Sequence, residues 1–337
     1  MKNLVEVLVE RIAASSAVPL DEIMILKLKN RPAKNATIAV LVFAGNEDAP
    51  RYFVKIPRNR AHTEHLLREY RNLTALKSLL KGTDLYESIA WPIALEDIAG
   101  QLVLVQPALI GEKITNSIRP SAANLLWGRA RRLLEAVTTW LIDFHLLSVR
   151  RITLTRQHLV PTDADIRLLM ENVSEHSETI RHIIQQAQTL LDVEAPLSMC
   201  HGDFNSHNII LMDNGRLAIL DWEDLTTEAI PLRDVFHFFT VYAMSIPSFS
   251  PNTMNRHMQA VFLNRRTVWR NINECLRLYC QAMDIPLSYA NAYYPIYLLT
   301  MALKELEDSR IQGVVPPRHW LELAEFFFSK LGGKIVT

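Results

Sequence analysis

Residues 199–225 read MCHGDFNSHNIILMDNGRLAILDWEDL, and they carry the strongest local signal in the sequence. Two short apolar runs, Ile209–Met212 and Arg216–Leu220, flank the tripeptide Asp213-Asn214-Gly215. Asn-Gly between such runs is typical of a tight β-hairpin, because both central residues of a primed turn need positive φ. A hairpin brings its two ends together. The segment therefore predicts that polar residues before the first strand converge with those after the second.

Three oxygen-bearing side chains stand at the predicted open end of this hairpin: Asp203 and Asn208 before it, and Asp221 after it. Hard divalent cations such as Mg²⁺ take oxygen ligands, a few from the protein and the rest from phosphate and water. Asn208 and Asp221 can supply such ligands, while Asp203 can accept a proton from an attacking hydroxyl group or orient it. An Asp-x-x-x-x-Asn motif with a second Asp after a hairpin is the arrangement that kinases use.

The motif His-Gly-Asp-Phe-Asn-Ser-His-Asn at 201–208, followed by Leu-Asp-Trp-Glu at 220–223, resembles that of the aminoglycoside phosphotransferase and choline kinase-like family. This family lies within the protein-kinase-like superfamily. The resemblance implies that Asp203 is the catalytic aspartate and that Asn208 and Asp221 are magnesium ligands. The motif is specific for the superfamily and indicates little about the acceptor.

Length and composition describe an ordinary globular protein. The chain has 337 residues, 49% of them hydrophobic and 21% charged, so it is long enough for two lobes with sizeable cores. Its 36 basic and 36 acidic residues balance, which argues against a dedicated nucleic-acid or anionic-membrane surface. Glu6 and Glu10 interrupt the apolar run at the N-terminus, so residues 3–14 predict an amphipathic helix and not a signal peptide.

The cysteines favour a reducing compartment. Cys200, Cys275 and Cys280 leave one thiol unpaired under any disulfide scheme, and their spacing offers no second ligand pair for zinc. No run reaches the roughly 20 apolar residues that span a bilayer. The expected location is cytoplasmic, and the expected partner is a small-molecule hydroxyl acceptor, with neither nucleic acid nor membrane. The oligomeric state is left open.

A lysine and a glutamate in the N-terminal part match a feature of kinases. Lys55 lies between Val54 and Ile56 in a predicted strand, and a buried ammonium group is costly unless it has a partner. Glu69 flanks the apolar face of the next predicted helix. Its context, Leu-Arg-Glu-Tyr-Arg-Asn-Leu at 67–73, resembles the corresponding helix of the family, and on that resemblance we prefer it to Glu64 as the partner. The pair resembles the strand lysine and helix glutamate that position the α- and β-phosphates of ATP in kinases.

An antiparallel sheet is predicted from five strands: 23–28, 37–43, 51–56, 89–94 and 101–106. The loop 29–35 stands where kinases keep a glycine-rich loop, but it contains no glycine. Its Lys29, Arg31 and Lys34 offer positive charge to phosphate, and a solvated hairpin tip is an equally good interpretation. The resemblance places the hinge between lobes at residues 106–108, where Gln106 and Ala108 would hold the adenine edge of a nucleotide.

The later part of the chain predicts helices over 121–147, 163–172, 175–191, 235–244, 254–282, 287–306 and 317–331. The resemblance implies that Asp234 braces the catalytic loop by hydrogen bonds, and we assign His145 a packed structural role. Aromatic stripes near residues 236–242 and 293–297 are interpreted as core. A cage for a quaternary ammonium group is the alternative.

These features predict an α+β, protein-kinase-like two-lobe fold. Residues 1–105 would form a small antiparallel-sheet N-lobe that binds nucleotide, and residues 106–337 a mainly helical C-lobe with the catalytic loop and acceptor site. The predicted function is an ATP- and Mg²⁺-dependent phosphotransferase that moves the γ-phosphate to a hydroxyl group of a sugar, an aminoglycoside-like compound or an amino alcohol. A nucleotide-binding regulatory protein is the alternative. A protein kinase is disfavoured, because Asp221-Trp222-Glu223 replaces Asp-Phe-Gly.

Overall fold

The computed structural model describes residues 10, 19–28, 37–45, 47–59, 62–98, 100–118, 125–245, 261, 266–312 and 318–337. The helix expected over residues 3–14, apart from Glu10, lies outside these ranges, and so do the loop lysines and arginine at 29, 31 and 34. Among the described residues, no helix combines the length and the apolar character that crossing a bilayer requires.

The secondary structure follows the described chain in a simple order. The strands are β1 (Ile23–Lys27), β2 (Thr37–Ala44), β3 (Tyr52–Pro57), β4 (Ala94–Ile98), β5 (Gln101–Pro107), β6 (Gly111–Lys113), β7 (Arg150–Thr153), β8 (Glu194–Cys200), β9 (Ile209–Met212), β10 (Leu217–Ile219) and β11 (Thr226–Ala229). The helices are α1 (Thr63–Leu80), α2 (Ile114–Ile118), α3 (Leu125–Leu146), α4 (Arg156–Leu159), α5 (Asp163–Asn172), α6 (Ser177–Ala187), α7 (Leu232–Ser245), α8 (Arg266–Ala282), α9 (Leu287–Gln312) and α10 (His319–Lys330).

The chain divides into two compact units. The first comprises residues 1–116 and 207–225, and the second comprises residues 117–206 and 226–337. The sequence predicts a lobe boundary after residue 105. That boundary stays a prediction, because the division into compact units does not test it. The N-terminal region contains a five-stranded sheet, and the remainder of the described chain is mostly helical. This confirms the predicted α+β class.

A five-stranded antiparallel sheet, in the order β1-β2-β3-β5-β4, forms the core of the first unit. Successive side chains of a strand point to opposite faces. Val42, Val54 and Val103 are fully buried in an apolar cluster on one face. Lys55 follows Val54 directly and pairs across the ladder with Ala39. The strand period therefore turns Lys55 to the other face of the sheet.

The strand predicted over Ile89–Ala94 is wrong. The structure begins β4 only at Ala94, and Ile89 instead makes an isolated bridge to Ile219. Pro92 explains the difference, because proline has no backbone N–H to give to a ladder and is tolerated mainly at the margins of sheets. The strand starts once the proline is past.

The second unit contains a small sheet in the order β11-β8-β7, together with α3 to α10. Six of the seven residues of β8 are buried, from Ala195 to Cys200. A strand that is buried on both faces loses the alternation that identifies strands in a sequence. The aromatic stripes of α7 and α9 are core, as predicted, since Phe236, Tyr242 and Tyr297 are almost completely buried.

Candidate active site

The hairpin positions two of the predicted metal ligands. β9 pairs antiparallel with β10, which confirms the hairpin. The predicted primed turn is wrong, because Gly215 has a φ of 80° but Asn214 does not have a positive φ. Gly215 donates its N–H to the carbonyl oxygen of Met212 at 2.9 Å, so the loop has three residues with glycine last. Leu220 donates its N–H to the carbonyl oxygen of Asn208 at 2.9 Å, so the ladder continues past both strands. Asp221 follows Leu220 directly. The backbone therefore brings Asn208 and Asp221 together at the open end of the hairpin.

Asp221 has a strained backbone. Its φ of 61° and ψ of 67° lie in the left-handed region, which costs a residue other than glycine about 1–3 kcal/mol. The next residue anchors it, because the buried Trp222 donates its indole N–H to Ile219 at 3.1 Å and accepts a hydrogen bond from Asn72 of α1 at 2.8 Å. The Asp221 side chain stays 49% exposed. Strain of this kind is retained where a side chain has a specific task.

Lys55 joins two carboxylates. Its ammonium nitrogen lies 2.7 and 2.8 Å from the two carboxylate oxygens of Glu69 on α1, and it also donates to Oδ1 of Asp221. Burial alone would lower the pKa of Lys55, but the attraction of Asp221 and Glu69 outweighs burial and raises that pKa. The ammonium group therefore stays charged. The predicted pairing of Lys55 with Glu69 is confirmed, and Asp221 is a third member that sequence reasoning missed.

Further negative charge follows Asp221. Burial, together with the carboxylates of Asp224 and Asp221, raises the pKa of Glu223 to about 7. A carboxylate oxygen of Glu223 lies 3.4 Å from Nδ1 of His65 on α1. Three acidic residues within four positions concentrate negative charge at the end of the hairpin. Such a cluster favours a divalent cation.

A pocket of about 330 Å³ lies within the first unit, beside Lys55. Alternate residues of β2 and β3 line it, among them Ala39 and Phe53, as the two-residue period of a strand requires. The hairpin contributes Ile219 and Asp221. The pocket thus combines apolar walls with a charged corner. Its volume lies at the lower end of the range for small-molecule sites.

The predicted hinge residues Gln106 and Ala108 also line this pocket. The Gln106 side chain is buried and donates its amide N–H to the carbonyl oxygen of Ala90 at 2.7 Å. The Ala108 N–H donates to the carbonyl oxygen of Arg51 at 3.0 Å. Because this N–H is already used, Ala108 would contact a ligand through its carbonyl oxygen or its methyl group. The nucleotide-binding role of both residues stays a prediction.

Gly111 allows β6 to lie against the hairpin. A Cβ atom at Gly111 would lie 2.2 Å from the carbonyl oxygen of Leu211, which is a severe clash with backbone. β6 pairs antiparallel with β9, with Gly111 opposite Met212. Gly111 also lines the pocket. One wall of the pocket therefore depends on a residue without a side chain.

Asp203 lies in the loop after β8, in the second unit. Oδ1 of Asp203 lies 3.1 Å from Nε2 of His237 on α7, a residue that sequence reasoning missed. Burial would raise the pKa of Asp203, but the hydrogen bond and charge of His237 and the charge of Lys304 hold it well below its usual range. Asp203 is therefore ionised near neutral pH. The next residue, Phe204, is fully buried and stacks on Trp140 at 5.5 Å, which anchors the loop.

Asp234 braces the same loop, as predicted. Its carboxylate accepts hydrogen bonds from the backbone N–H of His201 at 2.6 Å and of Gly202 at 3.0 Å. Nε2 of His145 lies 3.3 Å from the carboxylate, and Nδ1 of His145 lies 2.5 Å from the hydroxyl of Tyr279. Burial would raise the pKa of Asp234, but these donors and charges lower it. The packed role predicted for His145 is confirmed.

The sequence model of the phosphotransferase enzyme family matches residues 34–253. The match covers more than half of the chain. The chain belongs to the phosphotransferase enzyme family. It is a phosphotransferase, and the matched residues include Lys55, Asp203 and Asp221. No curated protein matches the sequence at a significant level.

Solved structures of low sequence identity share the fold of this phosphotransferase. The choline kinase LicA from Streptococcus pneumoniae has a TM-score of 0.57 and 15% identity, covering 98% of this chain and 99% of that one. LicA in complex with AMP has a TM-score of 0.54 and 14% identity, covering 97% and 96%. A macrolide 2′-phosphotransferase type I has a TM-score of 0.51 and 13% identity, covering 93% of each chain. The predicted protein-kinase-like two-lobe fold is thereby confirmed.

Proposed function

We propose that this phosphotransferase uses ATP and Mg²⁺ and transfers the γ-phosphate to the hydroxyl group of a small molecule. One observation carries the proposal. The buried ammonium group of Lys55 is held by Glu69 and Asp221 at the charged corner of a ligand-sized pocket. A buried ion pair is weak evidence for stability, because desolvation offsets much of its attraction. In kinases, a lysine held in this way contacts the α- and β-phosphates.

The residues of the pocket fit a nucleotide. Apolar side chains such as Ala39 and Ile219 suit a flat base, and Lys55 suits the phosphates. Gln106 and Ala108 would lie along the base. The structure of LicA with AMP, a protein of the same fold, supports a nucleotide as the ligand. We propose ATP as the phosphate donor because kinases position the α- and β-phosphates of ATP with a lysine held by a glutamate.

The donor atoms at the hairpin fit Mg²⁺. Asn208 and Asp221 would hold the ion, since both offer the hard oxygen atoms that Mg²⁺ prefers. When bound, Mg²⁺ neutralises negative charge on the phosphoryl oxygens during transfer. Lys55 contacts Oδ1 of Asp221, and the side chain stays half exposed, which suits a ligand that an ion from solution must reach.

Asp203 would orient the acceptor hydroxyl group. In the transfer, the acceptor oxygen forms a bond to the γ-phosphorus, the bond from phosphorus to the bridging oxygen breaks, and ADP leaves. The hydroxyl proton passes to Asp203. The low pKa of Asp203 makes it a weak base, so its main contribution is orientation and not early removal of the proton.

The enzyme is favoured over a nucleotide-binding regulatory protein by its family and by the presence of Lys55, Asp203, Asn208 and Asp221. The free and buried state of Cys200, Cys275 and Cys280 is compatible with a cytoplasmic location, which we keep as part of the proposal.

The test is ADP release with ATP and Mg²⁺ against a panel of sugars, aminoglycosides, choline and amino alcohols. We expect Asp203→Asn to lower turnover by roughly two to four orders of magnitude, because it removes a group that acts only on the acceptor. Nucleotide affinity, measured by calorimetry, should be nearly unchanged. Near-normal turnover by this variant would show that Asp203 is not the catalytic aspartate.

A further inference from the structure

His237 connects Asp203 to the aromatic core of the second unit. It lies on α7, is 4% exposed, and has both ring nitrogens in contact with polar groups. Nε2 lies 3.1 Å from Oδ1 of Asp203, and Nδ1 lies 3.1 Å from the hydroxyl oxygen of Tyr297 on α9. The ring of Trp320 on α10 stacks on the imidazole, with a centroid distance of 6.3 Å and an angle of 28°. Three elements therefore fix the imidazole in place.

The hydrogen-bond chemistry determines which nitrogen carries the proton. An ionised carboxylate can only accept, so Nε2 of His237 must donate to Asp203. Burial raises the pKa of Tyr297 well above its usual value, so its hydroxyl group keeps its proton. Tyr297 can donate to Nδ1 of a neutral imidazole or accept from a charged one. In both cases the N–H on Nε2 points at Asp203.

We infer that His237 is a positioning residue for phosphoryl transfer, which orients the Asp203 carboxylate through a hydrogen bond to Oδ1. The inference rests on the proposed catalytic role of Asp203. The arrangement inverts the hydrolase triad, in which an aspartate orients a histidine that reacts. Here the histidine orients, and the aspartate faces the acceptor. Tyr297 and Trp320 serve as its support.

Other charged groups surround this pair. The loop contributes His201, α7 contributes Arg233, α9 contributes Lys304 and Glu305, and α10 contributes His319. Glu305 accepts from the Trp320 indole, and His319 lies 3.3 Å from Glu305. Lys304 and His201 act on Asp203 through their charge. The hydrogen bond from His237 also fixes the orientation of the Asp203 carboxylate, which charge alone does not do.

Three substitutions of His237 separate the hydrogen bond from packing. His237→Phe keeps an aromatic ring against Trp320 and removes the donor. His237→Gln keeps an N–H donor near the position of Nε2, and His237→Asn keeps one near Nδ1, too short to reach Asp203. His176→Phe is the matched control, because His176 is also buried and lies 2.7 Å from a carboxylate oxygen, that of Glu325.

We expect His237→Phe and His237→Asn to lower kcat by roughly 10- to 100-fold with little change in KM for ATP, because the carboxylate is misoriented. Activity is ADP release from ATP and Mg²⁺ with the panel acceptor that gives the highest rate. The acid limb of kcat should move to higher pH, because Asp203 loses a donor that stabilises its ionised form. His237→Gln should recover most of kcat, and His176→Phe should change neither quantity.

A second measurement does not depend on turnover. The ¹³C NMR signal of the Asp203 carboxylate, assigned by its loss in Asp203→Asn, reports its titration directly. We expect the Asp203 carboxylate of the wild type not to titrate above about pH 4. In His237→Phe, its midpoint should lie roughly one pH unit or more above the wild-type midpoint. If His237→Phe does not fold, the contrast between His237→Asn and His237→Gln gives the same answer.

The inference is overturned if Asp203 titrates alike in all variants, or if kcat is equal in His237→Asn and His237→Gln. Failure of the proposed function looks different. In that case Asp203→Asn keeps its turnover, or no acceptor supports ADP release, while the carboxylate titration still responds to His237.

Discussion

Two aspartates of one sequence motif, Asp221 and Asp203, have opposite electrostatic surroundings. Asp221 belongs to an acidic region, where Lys55 joins it to Glu69 and where Glu223 holds a proton up to about pH 7. Negative charge is in excess there, so an additional cation is stabilised. This is the setting expected of a metal ligand.

Asp203 belongs to a cationic region. His237 donates to it, and Lys304 and His201 add positive charge, so the carboxylate is ionised and already compensated. A compensated carboxylate attracts a metal ion weakly and holds a neutral hydroxyl group well. The role of each acid can therefore be inferred from the charge around it, independently of its place in the motif.

Removing the cation of the acidic region should lower activity most. Lys55→Met should lower turnover by roughly two to three orders of magnitude, because the phosphates lose their contact and Glu69 and Asp221 repel each other. Glu69→Gln should cost less, since Asp221 still holds the lysine. ADP release is the measurement, and Lys77→Met, on the exposed side of α1, is the control. A larger loss in Glu69→Gln than in Lys55→Met would contradict the assignment.

A smaller effect separates the two aspartates by their response to metal. Asp221→Ala should weaken nucleotide binding in the presence of Mg²⁺ by roughly 10-fold or more, because a charged ligand is lost. Asp203→Asn should leave the Mg²⁺ dependence of binding intact. Calorimetry with and without Mg²⁺ measures both, with Asp213→Asn at the exposed hairpin turn as control. Equal loss in the two variants would remove the distinction between the regions.

The smallest effect is a pair of opposite pH slopes in the free energy of unfolding. The folded-state pKa of Glu223 is raised to about 7, so the folded state binds the extra proton and stability falls as pH rises from about 4.5 to 7. In Glu223→Gln, this decrease in the free energy of unfolding should be smaller by about 1 kcal/mol. The value is kept low because the side chain is 36% exposed, so solvent screens its charge.

Asp203 should show the reverse slope. Its folded-state pKa is lowered, so its contribution is present above about pH 4 and is lost as pH falls through the folded-state value. Asp203→Asn should therefore flatten the acid side of the stability curve, while Glu223→Gln flattens the region between pH 4.5 and 7. Urea unfolding at a series of pH values measures both. Slopes of the same sign would contradict the opposite electrostatic surroundings of the two regions.

Local signals in the sequence predicted the hairpin and the burial of Lys55 beside a helix glutamate, and the resemblance to the family predicted the bracing by Asp234. Each of these depends on a turn residue, a helix period or a motif that is written in neighbouring residues. The strand at 89–94 was wrong because Pro92 outweighs the apolar run around it. β8 was missed because its residues are buried on both faces and do not alternate.

Contacts between distant parts of the chain could not be predicted in this way. Lys55 and Asp221 are 166 positions apart, and His237 and Asp203 are 34 apart. His237 is one polar residue within the aromatic run of α7, and its neighbours give no sign of what its ring meets. Only the packing of α7 in the second unit reveals that contact.

The left-handed backbone of Asp221 sets stability against activity at a single position. Glycine adopts that conformation without strain, and Asp221→Gly also removes a carboxylate from an acidic cluster, although it removes one partner of Lys55 as well. A directed-evolution experiment that selects for heat resistance alone would therefore be drawn to Asp221→Gly when the relief of strain exceeds the loss of the pair with Lys55. It would enrich proteins that melt later and have lost their proposed metal ligand.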